Sequence, residues 1–268
     1  MEAGTRTVAL IGLGLALAAA AAILLLSRGD SASSPPSPAG PGGSGDRPQA
    51  TSAADPEPTP TSRRELVLPD RGNPVVWVRR GHRVELHATP GGAPVRTVGD
   101  ETEFGSPRVF SVARVEGGWA GVPSAFTGNG ELGWLRLDGR DLIAGYTRLE
   151  VVVDLSDRRA ELHRDGEVVR AFTVSVGAPG TQTPTGRFAV TDSFRGDLNP
   201  AYGCCAVALS AEQPNLPSGW LGGNRIAIHG TDGALGAASS SGCVRAADRD
   251  VSALVDRVPP GAPVTVRQ

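Results

Sequence analysis

A histidine and a cysteine lie close together in the C-terminal half of the chain, each in a setting suited to acyl transfer. His229 follows the apolar residues 226–228, and Cys243 comes fourteen positions later in the segment 240–245, Ser-Ser-Gly-Cys-Val-Arg. A thiol with an ordinary pKa of about 8.5 is mostly protonated at neutral pH, and an imidazole can take its proton or stabilise the thiolate. Gly242 lets the backbone N–H groups of Gly242 and Cys243 point at a developing oxyanion. The pair predicts a cysteine nucleophile with His229 as its base.

Each residue alone has a more ordinary interpretation. A histidine at a strand end often satisfies a local hydrogen bond, and a free cysteine is often a buried packing residue. Period-two alternation predicts that Ile226 and Ile228 face the core, while His229 lies on the opposite face, presented and not buried. Arg245 is two positions past Cys243 and leaves an extended backbone on the same face. Its guanidinium can either hold a substrate carboxylate or form an ion pair with a nearby acid such as Asp232 or Asp248.

Composition excludes several other classes of protein. All 26 basic residues are arginine, so the Ser-x-x-Lys nucleophile pair is absent, and no Gly-x-Ser-x-Gly elbow is present. The net charge of −2 and the lack of an arginine cluster with interleaved aromatics argue against nucleic-acid binding. Cys204 and Cys205 are interpreted as two small packing residues, because neighbouring cysteines pair only across a strained peptide. A disulfide bond from either of them to Cys243 would inactivate the predicted nucleophile.

The N-terminal quarter of the chain predicts a membrane anchor and a linker. Residues 7–27 carry no charge and approach the ~20 residues that a helix needs to cross a bilayer. A cleaved signal peptide is the alternative, with residues 31–33 as a weak cleavage site. Residues 28–64 are rich in Pro, Ser and Gly and predict a disordered linker. We therefore expect a cell-membrane-anchored protein, and the motifs further along the chain favour a body that lies outside the cytoplasm, on the cell wall side.

Short apolar runs separated by Gly and Pro predict a small all-β unit over residues 65–142. Its tryptophans either fill the core or bind a ligand, and core packing is the more common use in a small barrel. His82 and His87 are interpreted as surface histidines and not as metal ligands, because no further ligands occur at a recognised spacing.

Residues 148–268 predict strands and one helix. Residues 149, 151, 153 and 155 share one face of a strand, and Asp165-Gly166 is a type I′ hairpin signal. The following strand is expected to place Val168, Phe172, Val174 and Val176 on one side, and Phe188 and Val190 continue the apolar pattern. One helix is expected over residues 248–258, capped by Asp248, with a stripe formed by Val251, Leu254, Val255 and Val258 and a stop at the prolines that follow.

These motifs resemble the catalytic domain of the YkuD-type L,D-transpeptidases, from about residue 148 to 267. The resemblance includes the His-Gly strand end, the Gly-Cys-Val-Arg loop, the turn Thr183-Pro184-Thr185-Gly186 and their order. Residues 118–135 resemble, more weakly, bacterial Src-homology-3-like modules. Ser241 occupies the position of a family histidine before Gly-Cys, and a hydroxyl cannot carry charge near neutrality.

The resemblance implies a mainly β protein with a small barrel-like module followed by a mixed β-sandwich. It implies that Cys243 attacks peptidoglycan stem tetrapeptides and forms a thioester, with His229 as base and no metal or organic cofactor. Tyr202 resembles a residue that borders the acyl pocket, with core packing as the alternative. Gly230, Thr231 and Ser241 are further substrate-contact candidates, with ordinary loop solvation as the alternative for Thr231 and Ser241. Carbapenem-type β-lactams are expected as covalent inhibitors. Two alternatives stay open: a carboxypeptidase that passes the thioester to water, and an inactive wall-binding protein.

Overall fold

The computed structural model describes residues 64–268 except Asp197 and Leu221. This part of the chain is mainly β with one α-helix, as predicted. None of its helices has the length and apolar character that crossing a bilayer requires. The predicted anchor over residues 7–27 and residues 28–63 of the predicted linker lie outside the described residues.

The N-terminal β region, residues 64–147, contains two antiparallel sheets. One has the strand order β4-β1-β8 and the other β3-β2-β7-β6-β5. The eight strands are β1 (Asn73–Val78), β2 (Arg83–His87), β3 (Pro94–Gly99), β4 (Val109–Ser111), β5 (Arg114–Glu116), β6 (Trp119–Pro123), β7 (Leu132–Arg136) and β8 (Leu142–Thr147). The likeness to Src-homology-3-like modules stays a prediction.

The tryptophans of this region have different environments. Trp134 is buried in the region, whereas Trp119 is half-buried and lines a cleft of about 490 Å³. The guanidinium of Arg136 lies 5.5 Å from the Trp119 ring. His87 is not a surface histidine as predicted: its ring is buried edge-on against Trp119 at 4.8 Å, and its Nδ1 lies 2.6 Å from the Gly92 carbonyl oxygen. Burial is possible because that carbonyl satisfies the ring N–H.

The C-terminal region, residues 148–268, is built on an eight-stranded sheet. The strand order is β11-β10-β9-β18-β13-β14-β15-β17, and β12 pairs with β16 apart from it. Its elements are β9 (Leu149–Asp154), β10 (Arg159–Arg164), β11 (Glu167–Thr173), β12 (Val176–Gly177), β13 (Gly186–Arg195), a 3₁₀ helix (Pro200–Tyr202), β14 (Cys205–Glu212), β15 (Arg225–Thr231), β16 (Ala238–Ser240), β17 (Val244–Ala247), α1 (Asp248–Val255) and β18 (Pro263–Arg267).

The β10–β11 hairpin follows the predicted turn but not the whole predicted face. Asp165 and Gly166 both have positive φ, as a type I′ turn requires. The prediction was wrong for Val168, which is half exposed. The ladder shifts register between Leu162 and His163, and this irregularity at the hairpin end breaks the alternation before Phe172, which is buried.

The helix is shorter than predicted. It ends at Val255, and Val258 stays buried through a turn in which its N–H donates to the Leu254 carbonyl at 2.8 Å. Asp248 is the first helical residue and not the cap, which is Ala247. The Asp248 carboxylate instead accepts a hydrogen bond from the Cys204 N–H at 3.2 Å. This contact with the residue just before β14 replaces the expected helix cap.

The two regions pack directly on each other within one compact unit. Thr102 donates to Asp192 at 2.5 Å, and Arg225 of β15 pairs with Glu103. The core of each region is a separate apolar cluster. The sheet that carries the predicted catalytic residues is therefore supported at one side by the N-terminal β region.

Candidate active site

Strands β15 and β17 bring the predicted nucleophile and base together. The two strands are parallel neighbours, with Ile228 opposite Val244 and His229 opposite Arg245. Cys243 immediately precedes β17, so alternation places it on the face that also carries Arg245. One cavity of about 500 Å³ collects the side chains concerned. Its lining includes His229, Cys243, Tyr202, Arg245, Ser241, Asn199 and Trp220.

Two predicted contact residues lie outside this lining. Gly230 approaches the helix start so closely that a Cβ would lie 2.1 Å from the Asp248 Oδ1 atom. Thr231 accepts the Gly233 N–H at 3.1 Å within its own turn. The absence of a side chain at Gly230 thus allows its backbone to approach the Asp248 carboxylate. Its contact with the site is the hydrogen bond between its carbonyl oxygen and His229.

His229 is buried, with 4% of its surface exposed, although the sequence predicted a presented side chain. The edge of Tyr202 packs on its ring at 4.8 Å, and strands β14 and β17 flank β15 on both sides. Burial lowers the pKa of His229, and the charge of Arg245 lowers it further, against the opposing effect of the Gly230 carbonyl. The imidazole is therefore neutral at neutral pH. The Gly230 oxygen lies 2.8 Å from Nδ1 and can only accept, so Nδ1 carries the proton and Nε2 is the basic nitrogen.

The Cys243 thiol is also held in its neutral form at rest. Burial raises its pKa, while a hydrogen bond from the Ala227 backbone and the charge of Arg245 lower it to a smaller extent. Burial likewise raises the pKa of Tyr202, and a charge on Cys243 adds to that effect. A neutral thiol beside a neutral imidazole fits general-base activation more closely than a preformed ion pair.

Arg245 has a fixed backbone and an unpaired side chain. Its N–H and C=O groups pair with Ser175 at 2.8 and 2.9 Å. Among the described residues its guanidinium forms no ion pair, with Asp232, Asp248 or any other acid. A guanidinium that lines a cavity without a partner is available to an anionic ligand.

The loop before β17 is organised by its own hydrogen bonds. Ser240 Oγ accepts the Gly242 N–H at 3.1 Å and donates to the Cys243 carbonyl at 2.6 Å. Gly242 has φ +117°, a conformation that favours glycine. The Gly242 N–H is thus engaged inside the loop. The Cys243 N–H has no acceptor among the described groups, which leaves it free to donate to an oxyanion.

Two buried residues that the sequence did not indicate hold this loop. Thr183 Oγ1 donates to the Gly242 carbonyl at 2.7 Å and accepts the Gly177 N–H at 2.9 Å. The Gln213 side-chain amide lies 3.2 Å from the Ser241 carbonyl. Thr183 belongs to a motif that predicted only a turn, and Gln213 belongs to no motif. Their roles depend on contacts across the fold, which spacing along the chain does not reveal.

Replacing Thr183 by valine tests this support. The two side chains have similar shapes, but valine leaves the Gly242 carbonyl and the Gly177 N–H without a partner in a buried place. We expect the Thr183→Val variant to lose about 1 to 3 kcal/mol of unfolding free energy. Urea unfolding measures the loss. Thr185→Val is the matched control, because Thr185 is exposed, and it should stay within about 0.5 kcal/mol of the parent. Equal losses in both variants would contradict a special role for Thr183.

Cys204 and Cys205 form a disulfide with each other, which corrects their interpretation as packing residues. Cys204 lies beside Gly203, where the chain passes Asp248 and Gly230 too closely for a Cβ. Cys243 is the free cysteine. The pairing excludes, in this structure, a lock between Cys243 and either of the other two.

Thiol titration checks this arrangement. Because two of the three cysteines are joined, native unreduced protein should react with a thiol reagent at Cys243 alone once unfolded. Reduction before unfolding should expose all three thiols. Peptide mapping identifies the labelled residue, and labelling of Cys204 without prior reduction would contradict the disulfide.

Comparison with known proteins finds a family model and two relatives that match this region. Residues 148–266 match the family model of YkuD, the L,D-transpeptidase catalytic domain. The YkuD protein of Bacillus subtilis, named as an L,D-transpeptidase, is 29% identical over 120 residues, which are 44% of this chain and 65% of that protein. The Bacillus licheniformis protein of the same name is 30% identical over 118 residues, 43% of this chain and 64% of its own length. The match spans a little under two thirds of both relatives.

A solved L,D-transpeptidase from Mycobacterium smegmatis is similar at 19% identity, over 51% of this chain and 73% of that one. The TM-score between the two structures is 0.38. Among the described residues, no group of three or more His, Cys, Asp or Glu side chains is placed to hold a metal ion. Residues 148–266 of this chain are therefore similar to the catalytic domain of the YkuD-type L,D-transpeptidases.

Proposed function

We propose that the C-terminal region is a cysteine-dependent L,D-transpeptidase that cross-links peptidoglycan through stem tetrapeptides. The observation that carries the proposal is the shared cavity that Cys243, His229 and Arg245 line, in which the Arg245 guanidinium forms no ion pair with the described residues. A thiol, a neutral base with a defined tautomer and an anion-binding group are the parts that acyl transfer to and from a peptide requires. The similarity to L,D-transpeptidases supports peptidoglycan stem peptides as the proposed substrate class.

In the first half-reaction, Cys243 Sγ attacks the carbonyl carbon of the third stem residue. His229 Nε2 takes the thiol proton as the carbon–sulfur bond forms, and the Cys243 N–H donates to the oxyanion. The bond from that carbon to the nitrogen of the terminal D-alanine then breaks. His229 returns the proton to the departing amine, and the shortened stem is held as a thioester.

In the second half-reaction, the amine of another stem attacks the thioester carbon. His229 removes a proton from that amine, the carbon–sulfur bond breaks, and the proton returns to the sulfur. A new peptide bond joins the two stems. If water takes the place of the amine, the product is a tripeptide stem, which is the carboxypeptidase alternative.

The guanidinium of Arg245 is proposed to bind a carboxylate of the donor stem. We expect the Arg245→Gln variant to raise KM about tenfold or more, because a charge-assisted hydrogen bond contributes about 1.5 to 3 kcal/mol, with a smaller change in kcat. Steady-state kinetics on a tetrapeptide donor measure both constants. Arg249→Gln removes the same charge from an exposed helix position outside the cavity and should leave KM unchanged. Equal effects of the two variants would mean that only net charge matters.

The protein is proposed to act on the wall side of the cell membrane. The uncharged apolar run at residues 7–27 supports an anchor, and the Pro/Ser/Gly-rich residues 28–64 support a spacer between it and the enzyme. The N-terminal β region, with its half-buried Trp119, is proposed to be the predicted wall-associated module of the Src-homology-3-like type.

Incubation of the purified protein with disaccharide-tetrapeptide tests the reaction. Cross-linked dimers with released D-alanine support the transpeptidase, and tripeptide monomers alone support the carboxypeptidase. Wall binding with neither product would support the inactive wall-binding protein. Intact-protein mass spectrometry after exposure to a carbapenem provides a second readout. An adduct on Cys243 would demonstrate a competent nucleophile, and its absence would count against the proposal.

A further inference from the structure

A reciprocal pair of hydrogen bonds joins the N-terminal β region to the end of β14. Asn129 Nδ2 donates to the Glu212 carbonyl at 2.6 Å, and the Glu212 N–H donates to Asn129 Oδ1 at 2.9 Å. One side-chain amide thus takes both backbone groups of one residue, as an adjacent strand would. Asn129 lies between two glycines of positive φ in the loop from β6 to β7. The loop therefore presents this amide from the other region of the protein.

The residue after Glu212 touches the loop that carries the nucleophile. Gln213 is 3% exposed, and its Nε2 lies 3.0, 3.1 and 3.2 Å from the carbonyl oxygens of Thr181, Gln182 and Ser241. Two amide hydrogens are shared among these three acceptors. A Cβ on Gly242 would lie 2.2 Å from the same nitrogen. The Gln213 amide is thus packed directly against the backbone that leads to Cys243.

The pairing of β14 with β15 is irregular just before Glu212, the last residue of β14. The ladder between β14 and β15 shifts register between Ala208 and Glu212. Beyond the shift, the Gln213 N–H donates to the Asn224 carbonyl at 2.7 Å. Asn129 adds two bonds at Glu212, the residue with which the pairing resumes opposite Arg225, and Glu212 is one residue from the side chain that holds the loop.

We propose that Asn129 is a positioning residue for Cys243, acting through the Glu212 backbone and the Gln213 side chain. The N-terminal β region then supports the active site directly, in addition to any contact it makes with the wall. The geometric part of this inference does not depend on the substrate, and only its kinetic consequence rests on the proposed function. A shift of about 1 Å in a catalytic group can lower a rate about 10²-fold, so a small movement of the loop is sufficient.

The test uses the full chain and compares Asn129→Ala with Thr102→Val. Thr102 makes another hydrogen bond between the two regions, to Asp192, and among the described residues it forms no hydrogen bond with Gln213 or the nucleophile loop. The first readout is the rate at which iodoacetamide alkylates Cys243, which needs no substrate. We expect Asn129→Ala to change that rate at least about threefold and to lower kcat about tenfold with little change in KM. Thr102→Val should leave both rates within about twofold of the parent, even if unfolding free energy falls.

Two further variants keep the outcome decisive. Asn129→Asp retains the acceptor for the Glu212 N–H but loses the donor, so its effect should lie between the parent and Asn129→Ala. The double variant Asn129→Ala/Gln213→Ala should change the alkylation rate by less than the two single effects combined. The reason is that both substitutions remove parts of the same connection from Asn129 to the nucleophile loop. Unchanged alkylation in Asn129→Ala, or equal effects from Thr102→Val, would overturn the inference. A parent protein that is alkylated normally but turns over no tetrapeptide would instead overturn the proposed function alone.

Discussion

The Cys243→Ala variant is expected to lose turnover of disaccharide-tetrapeptide by at least about 10³-fold, because among the described residues that line the cavity only Cys243 carries a thiol, and the hydroxyls there are much weaker nucleophiles. The Cys243 side chain lines the cavity at the point where β17 begins, and its own N–H is free for the oxyanion. Chromatography of the muropeptide products measures the loss. The carbapenem adduct should disappear in the same variant.

Two controls separate the thiol from general damage. Cys243→Ser keeps the shape of the side chain and should be as inactive as alanine, because a hydroxyl beside a buried imidazole is a much weaker nucleophile. The paired replacement of Cys204 and Cys205 by serine removes the other two sulfurs and should retain the carbapenem adduct. Residual cross-linking in Cys243→Ala near the parent rate would contradict the proposed mechanism.

The His229→Gln variant is expected to lower kcat about 10² to 10⁴-fold, the usual contribution of a general acid–base group. Glutamine fills a similar space under Tyr202 but cannot accept the thiol proton. His163→Gln is the matched control, because it removes an imidazole that pairs with Glu161 on the β10–β11 hairpin, outside the cavity. The comparison uses rates of D-alanine release. Equal losses in both variants would contradict the assignment of His229.

The same histidine determines the expected pH dependence. Burial lowers the pKa of His229, so the neutral base persists to lower pH than in an exposed histidine, and kcat/KM should fall only below the ordinary imidazole value. Burial raises the pKa of Cys243, so alkylation of the free enzyme should rise only above the ordinary thiol value. Profiles of kcat/KM and of iodoacetamide labelling measure the two limbs. An acid limb at or above the ordinary imidazole value would contradict the buried environment of His229.

The shared location of His229 and Cys243 and the strands that carry them were predictable because both are encoded locally. His229 and Cys243 lie in short motifs, and the alternation of β9 and the Asp165-Gly166 turn are properties of neighbouring residues. The burial of His229 was not predictable from its strand, because the ring is covered by Tyr202, which lies 27 positions earlier in the chain. Alternation identifies the two faces of a strand but not what packs on each.

The contacts that hold the nucleophile loop were harder to predict from the sequence, also because they join residues that are distant along the chain. Gln213 lies in a polar, proline-containing segment that gives no signal of burial, yet three carbonyl groups from two other loops converge on its amide. The early end of the helix and the half-exposed Val168 reflect tertiary packing and a register shift, which local propensity does not report. The disulfide between Cys204 and Cys205 was not predicted, because a bond between neighbouring cysteines is an uncommon arrangement.

The position of Arg245 has a consequence for how a docked stem would change the proton affinities in the cavity. Its positive charge lowers the pKa of both the sulfur and the imidazole, so it acts in the same direction on the donor and on the acceptor of the proton. A carboxylate bound to the guanidinium would cancel that charge and raise both affinities together. Both limbs of the activity profile should therefore move in parallel towards alkaline pH between the empty enzyme and its complex.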